Sequence, residues 1–133
     1  MKPARLGALA LALLVACSAR EGAEQKSAAR VARAVEVLRN APNQMKKEPL
    51  AELGQLQCVG TDVCATRDAC RSAYQVHVDA LALTAAAKDQ VASRDNPRAG
   101  NLLVSAEEKL REAGARVADC VEREAALRHR YKL

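Results

Sequence analysis

The chain has no phenylalanine, no tryptophan and only two tyrosines, although half of its 133 residues are hydrophobic. Its apolar mass is therefore alanine, leucine and valine. That balance argues against a strand-rich fold, which draws on aromatic and β-branched residues. The high apolar fraction equally excludes a disordered tail. Catalytic signatures are missing too: there is no G-x-S-x-G, no H-E-x-x-H, no glycine loop for phosphate and no EF-hand spacing. Long hydrophobic runs are scarce, and the longest, Leu6 to Ala16, spans roughly 17 Å as a helix against a hydrocarbon core of about 30 Å.

What is present begins with that run. Lys2 and Arg5 precede it, which is the charge and hydropathy order of a secretory leader and not of a spanning helix. The run closes on Leu14-Val15-Ala16-Cys17. This tetrapeptide resembles the lipobox of bacterial lipoproteins, an aliphatic residue and two small or modest ones before a cysteine. The resemblance covers only the leader and Cys17. It implies a signal peptide over 1–16, acylation of Cys17 after cleavage, and a lipidated tether over 17–22. Ser18, where a retention signal would place aspartate, implies by the same analogy the outer membrane, with the protein facing the periplasm.

Loss of Lys2 and Arg5 with the leader lowers the formal excess from +5 to +3. An exported chain with two tyrosines for stacking is a poor candidate for nucleic acid. Its modest basicity suits anionic lipid, or simply a solvated helical surface.

From Ala23 the pattern is helical. Ala28, Val31, Val35 and Leu38 recur at three- and four-residue steps, with Lys26, Arg30, Arg33 and Arg39 between them. Pro42 sets a stop near Asn40. Pro49 suits the first turn of a short helix to about Gln57, which Gly60 terminates. A cap at Thr61 or Asp62 then opens a rod to Ala92, and after Asn96-Pro97 and Gly100 a second rod runs from Leu102 to His129. That last helix carries two heptad columns: Leu103, Leu110, Val117 and Tyr131, and Ala106, Ala113, Cys120 and Leu127, with Glu124 as the charged intruder. Acid-before-base pairs at i,i+4 (Glu107 to Arg111, Glu112 to Arg116, Asp119 to Arg123, Glu124 to Arg128) support a solvated face.

The short connector makes the two rods antiparallel, and helix 1 must bury its apolar stripe against them. The expected fold over 23–133 is all-α, a three- to four-helix bundle built on a long antiparallel helical hairpin. An apolar stripe left spare on the hairpin can be buried under helix 1 or pair between two copies.

Cys58, Cys64, Cys70 and Cys120 form an even set in an exported chain, which favours disulfides over metal. Their spacings of five intervening residues do not match zinc pairs, and there is no C-x-x-C. With the turn centred near residue 96, residue i faces about 192 − i, so Cys120 falls beside Cys70. Cys58 and Cys64 are then left to clasp the Val59-Gly60-Thr61 turn, with Cys64 to Cys120 the rival pairing.

Two further constellations stand out. Cys70, Tyr74, His77 and Leu81 share a helical stripe, a possible ligand face or a packed core. His129 lies about 20 Å from His77 in this register, so the two share no metal. Arg123, Arg128, Arg130 and Lys132 form a possible basic contact patch, or cations suited to a helix C-terminus. The sequence thus points to a small lipid-anchored envelope protein that acts by interaction. No catalytic residue, metal or cofactor is expected, and the partner is the membrane together with an envelope protein or an anionic lipid. The alternative is a periplasm-facing binder of metal or a small ligand on the Cys70-Tyr74-His77 face.

Overall fold

The computed structural model describes the backbone of residues 7–133 and the side chains of residues 18–133. The side chains of Leu14, Val15, Ala16 and Cys17, on which the expected signal-peptide boundary and acylation site rest, lie outside the described residues. Four α-helices follow one another: α1 (Gly7–Asn40), α2 (Lys47–Gln55), α3 (Thr61–Ala92) and α4 (Asn96–Tyr131), with a 3-10 turn at Asn43–Met45. The fold is all-helical, and α3 and α4 pack as a long hairpin.

Helix boundaries follow local chemistry. Asn40 is the last residue of α1, two before Pro42 as expected. Its start differs, because residues 18–22 are helical and continuous with α1, where a tether ahead of Ala23 was expected. Alanine, arginine and glutamate in this stretch are good helix formers, and Gly22 alone does not outweigh them. The N-cap of α3 is Gly60, with no side-chain cap from Thr61 or Asp62. Gly60 adopts φ +100°, and a Cβ there would lie 3.3 Å from both Glu24 and Val63, so the site favours glycine twice over. The α3–α4 turn is tighter than Asn96-Pro97 and Gly100 implied. Asp95 caps α4 by accepting from the Arg98 backbone N–H, and Pro97 sits in the first turn, where its missing N–H costs nothing.

A column of small residues zips the hairpin. Thr66, Ala73, Ala80 and Ala87 on α3 and Ala99, Ala106, Ala113, Cys120 and Leu127 on α4 repeat every seventh position, and all are buried. The other column is not the seam it was expected to be. Leu103 and Leu110 remain 48% and 42% exposed, because alanines bring the helices close and leave the leucines on the flank.

α1 lies across one end of the hairpin, antiparallel to α4 and alongside α3. Val31, Val35 and Leu38 are fully buried with Val63, Cys70, Tyr74 and Leu127, while α2 adds Leu50 and Leu53. Two disulfides brace this half. Cys70–Cys120 joins the rods with Cα atoms 4.8 Å apart, and Cys58–Cys64 clasps the approach to α3 at 5.4 Å. Ser27, fully buried on α1, accepts a 2.8 Å hydrogen bond from the Val59 backbone N–H and ties that clasp to the bundle.

Candidate interaction surface

The base of the molecule is where α1, the start of α3 and the end of α4 meet. Tyr131 is its hub. The phenol lies 3.1 Å from Asp62 Oδ1 and 3.2 Å from Glu24 Oε2 and donates to either, while Gln25 Nε2 donates to the Tyr131 carbonyl at 3.1 Å. Burial first, then the hydrogen bond and charge of Asp62, push the Tyr131 phenol up to about 12. Asp62, expected as a helix cap, thus serves tertiary contacts. It also pairs with Arg130 at 3.0 Å.

That pairing changes the reading of the C-terminal cations. Arg123 bonds Asp119 at 2.7 Å, Arg128 bonds Glu124 at 3.0 Å and Glu36 at 3.2 Å, and Arg130 holds Asp62. Three of the four residues expected in a basic patch are neutralised by carboxylates, leaving Lys132 exposed beside them. All four i,i+4 pairs on α4 form, from Glu107–Arg111 to Glu124–Arg128.

The Cys70-Tyr74-His77 stripe divides. Cys70 is in its disulfide and Tyr74 is buried in the core, whereas His77 is partly exposed with Nε2 3.4 Å from Asn43 Oδ1. The group that organises this corner is Lys46, which no sequence pattern singled out. Its buried ammonium donates to the carbonyls of Leu38 and Arg39, both at 2.9 Å, and lies 5.6 Å from the Tyr74 ring centroid. A cation is thereby set on the unsatisfied carbonyls that end α1. Burial lowers the Lys46 ammonium's affinity for its proton, and burial together with the Lys46 charge lowers that of His77. Among the described residues no cluster of three or more His, Cys, Asp or Glu could hold a metal ion.

At the opposite end no other helix packs on the hairpin among the described residues. On α4 the column Leu103, Leu110, Val117, Glu124 and Tyr131 is the flank that meets α1, since Glu124 pairs with Arg39 and Tyr131 with Glu24. On α3 the matching column is Val63, Cys70, His77, Thr84 and Val91, whose first two members sit in the core with α1. α1 stops at Asn40, and beyond it, among the described residues, no helix covers the same two columns of α3 and α4. Val91, Leu103 and Leu110 flank that open stretch at 54%, 48% and 42% exposure, over a floor of Ala80, Ala87, Ala99 and Ala106.

Among the described residues no helix is long and apolar enough to cross a membrane. No protein-family model, curated protein or solved structure matches the chain.

Proposed function

We propose that the protein is a lipid-anchored helical module of a bacterial envelope that works by binding a partner helix and not by catalysis. Its leader and Cys17 supply the anchor, and its open hairpin supplies the docking surface. The observation that carries this reading is the groove between α3 and α4. The packing of α1 supports this mode of use, because α1 lays Val31, Val35 and Leu38 against the same two helices at the base. An amphipathic helix with i, i+3, i+4 and i+7 anchors fits the distal stretch by the same geometry.

The rod form supports the same reading. α3 and α4 hold 32 and 36 residues, about 48 and 54 Å at the helical rise. An anchor at Cys17, which precedes the base on α1, leaves the open stretch at the far end of the hairpin from the attachment point. Two disulfides suit an oxidising compartment.

Two experiments test the two halves separately. Cys17→Ser should release the protein from the membrane fraction, and unchanged sedimentation with membranes would remove the anchor. A photo-crosslinking residue at Leu103 should give one discrete adduct in cells, lost when Leu110→Arg is added and not seen from Glu122. Equal adduct patterns from Leu103 and Glu122 would remove the docking surface.

A further inference from the structure

On α4 every arginine from Arg111 to Arg130 is matched to a carboxylate, Arg98 near its start being the exception; on the outer face of α1 three successive cations are unmatched. Lys26, Arg30 and Arg33 stand at i, i+4 and i+7, directly opposite the buried Ala28, Val31 and Val35. All three are exposed, and none takes part in an ion pair or side-chain hydrogen bond among the described residues. Val37 extends the same face and is 50% exposed. The remaining positions on this strip are small or uncharged, Ala19, Gly22, Ala29 and Asn40, so no carboxylate interrupts it. Glu36, the nearest acid on the flank, is engaged by Arg128.

We infer that this face of α1 lies against an anionic lipid bilayer and binds its phosphate head groups. The inference rests on the anchored reading above and adds the orientation of the anchored protein. Small residues between the cations let the helix backbone approach a flat surface, and the row begins about two and a half turns after Cys17. Long cationic side chains with apolar stems suit the head-group boundary. Near an anionic surface each cation strengthens contact by about fivefold, so three together are worth on the order of a hundredfold at low ionic strength. The contact should weaken as salt shortens the screening length.

The test uses the full chain, extracted from its own membrane, with Val37→Cys carrying a fluorophore and with vesicles whose head groups carry a collisional quencher. In vesicles rich in phosphatidylglycerol the label should be quenched, and in phosphatidylcholine it should be several-fold less so. Salt at 0.5 M, or Lys26→Glu with Arg30→Glu and Arg33→Glu, should abolish the difference. The glutamine triple variant, with helicity checked by circular dichroism, guards against a folding effect of charge reversal. Equal quenching in both vesicle types, or none in either while the protein co-floats, would overturn the inference and leave the anchor intact. A label change that grows with protein concentration without vesicles would overturn it in favour of a second copy. Flotation with phosphatidylglycerol vesicles alone would uphold this face and overturn the anchor, whereas flotation with neither would overturn both.

Discussion

Glu124 of α4 and Arg39 of α1 form an ion pair in which the carboxylate is almost wholly buried and the guanidinium is 40% exposed. Arg128, one turn along α4, holds the other carboxylate oxygen at 3.0 Å and reaches Glu36 of α1 at 3.2 Å. Four charges thus fasten the end of α1 to the hairpin. Removing one partner of a buried pair strands the other, whereas replacing both with apolar residues is often neutral. Because Arg128 remains, Arg39→Ala should cost about 1–3 kcal/mol in urea unfolding, less than full loss of the pairing. Arg39→Met with Glu124→Leu should recover most of that deficit. A double variant as unstable as the single would show that the network, and not the stranded charge, sets the stability.

The two disulfides close very different loops, with sequence separations of 50 and 6. In the chain-entropy description the longer loop is worth about 4 kcal/mol and the shorter about 2 kcal/mol. Cys70→Ala with Cys120→Ala should therefore lower the unfolding free energy roughly twice as much as Cys58→Ser with Cys64→Ser. Cys58 and Cys64 are partly exposed while Cys70 and Cys120 are fully buried, so mild reductant should open the short clasp first, as read by mass-resolved alkylation.

The pairing was legible because an antiparallel hairpin converts sequence distance into register. The expected sum of 192 for facing residues differs from the 190 of Cys70 and Cys120 by two, since the turn is centred nearer Asp95 than Asn96. Helix type and order were legible because Pro42, Gly60 and the Ser93-to-Gly100 cluster divide the helical periodicity into segments. Which of two heptad columns faces inward was not. Both columns were expected in the seam, and the close approach permitted by alanine on both helices keeps the small column inside and leaves Leu103 and Leu110 on the flank. The Glu36 partner of Arg128 and the Asp62 partner of Arg130 were invisible because they come from helices distant in sequence, and Lys46 because a lysine in a polar connector carries no periodic signal.

The inverted seam makes its own prediction. Ala106 is 2% exposed between α3 and α4, and Leu103 is nearly half exposed one turn away. Ala106→Leu inserts volume where the helices touch and should destabilise by about 1–3 kcal/mol. Leu103→Lys should change the unfolding free energy by no more than about 0.5 kcal/mol, as a surface substitution does. The reverse order, with Leu103 the costly site, would mean that the leucine column is covered in solution, and sedimentation of the wild-type chain would then register a self-associated species.

Tyr131 links pH to the seating of the base. Its phenol is held up to about 12 from an ordinary value of 10.0, first by burial and then by Asp62. The folded state therefore keeps its proton where the unfolded chain has lost it. Unfolded protein binds fewer protons between those values, so stability falls as pH rises through the window and is fully present below 10. In a Tyr74→Phe background the phenolate absorbance should rise near pH 12 in folded protein, and Asp62→Asn should bring the midpoint down by removing a neighbouring negative charge. The same substitution frees Arg130, whose positive charge favours phenolate, and so acts in the same direction. An unchanged midpoint in Asp62→Asn would leave burial and the Glu24 hydrogen bond as the causes, and the contact between α3 and the end of α4 would then contribute nothing to the alkaline loss of stability.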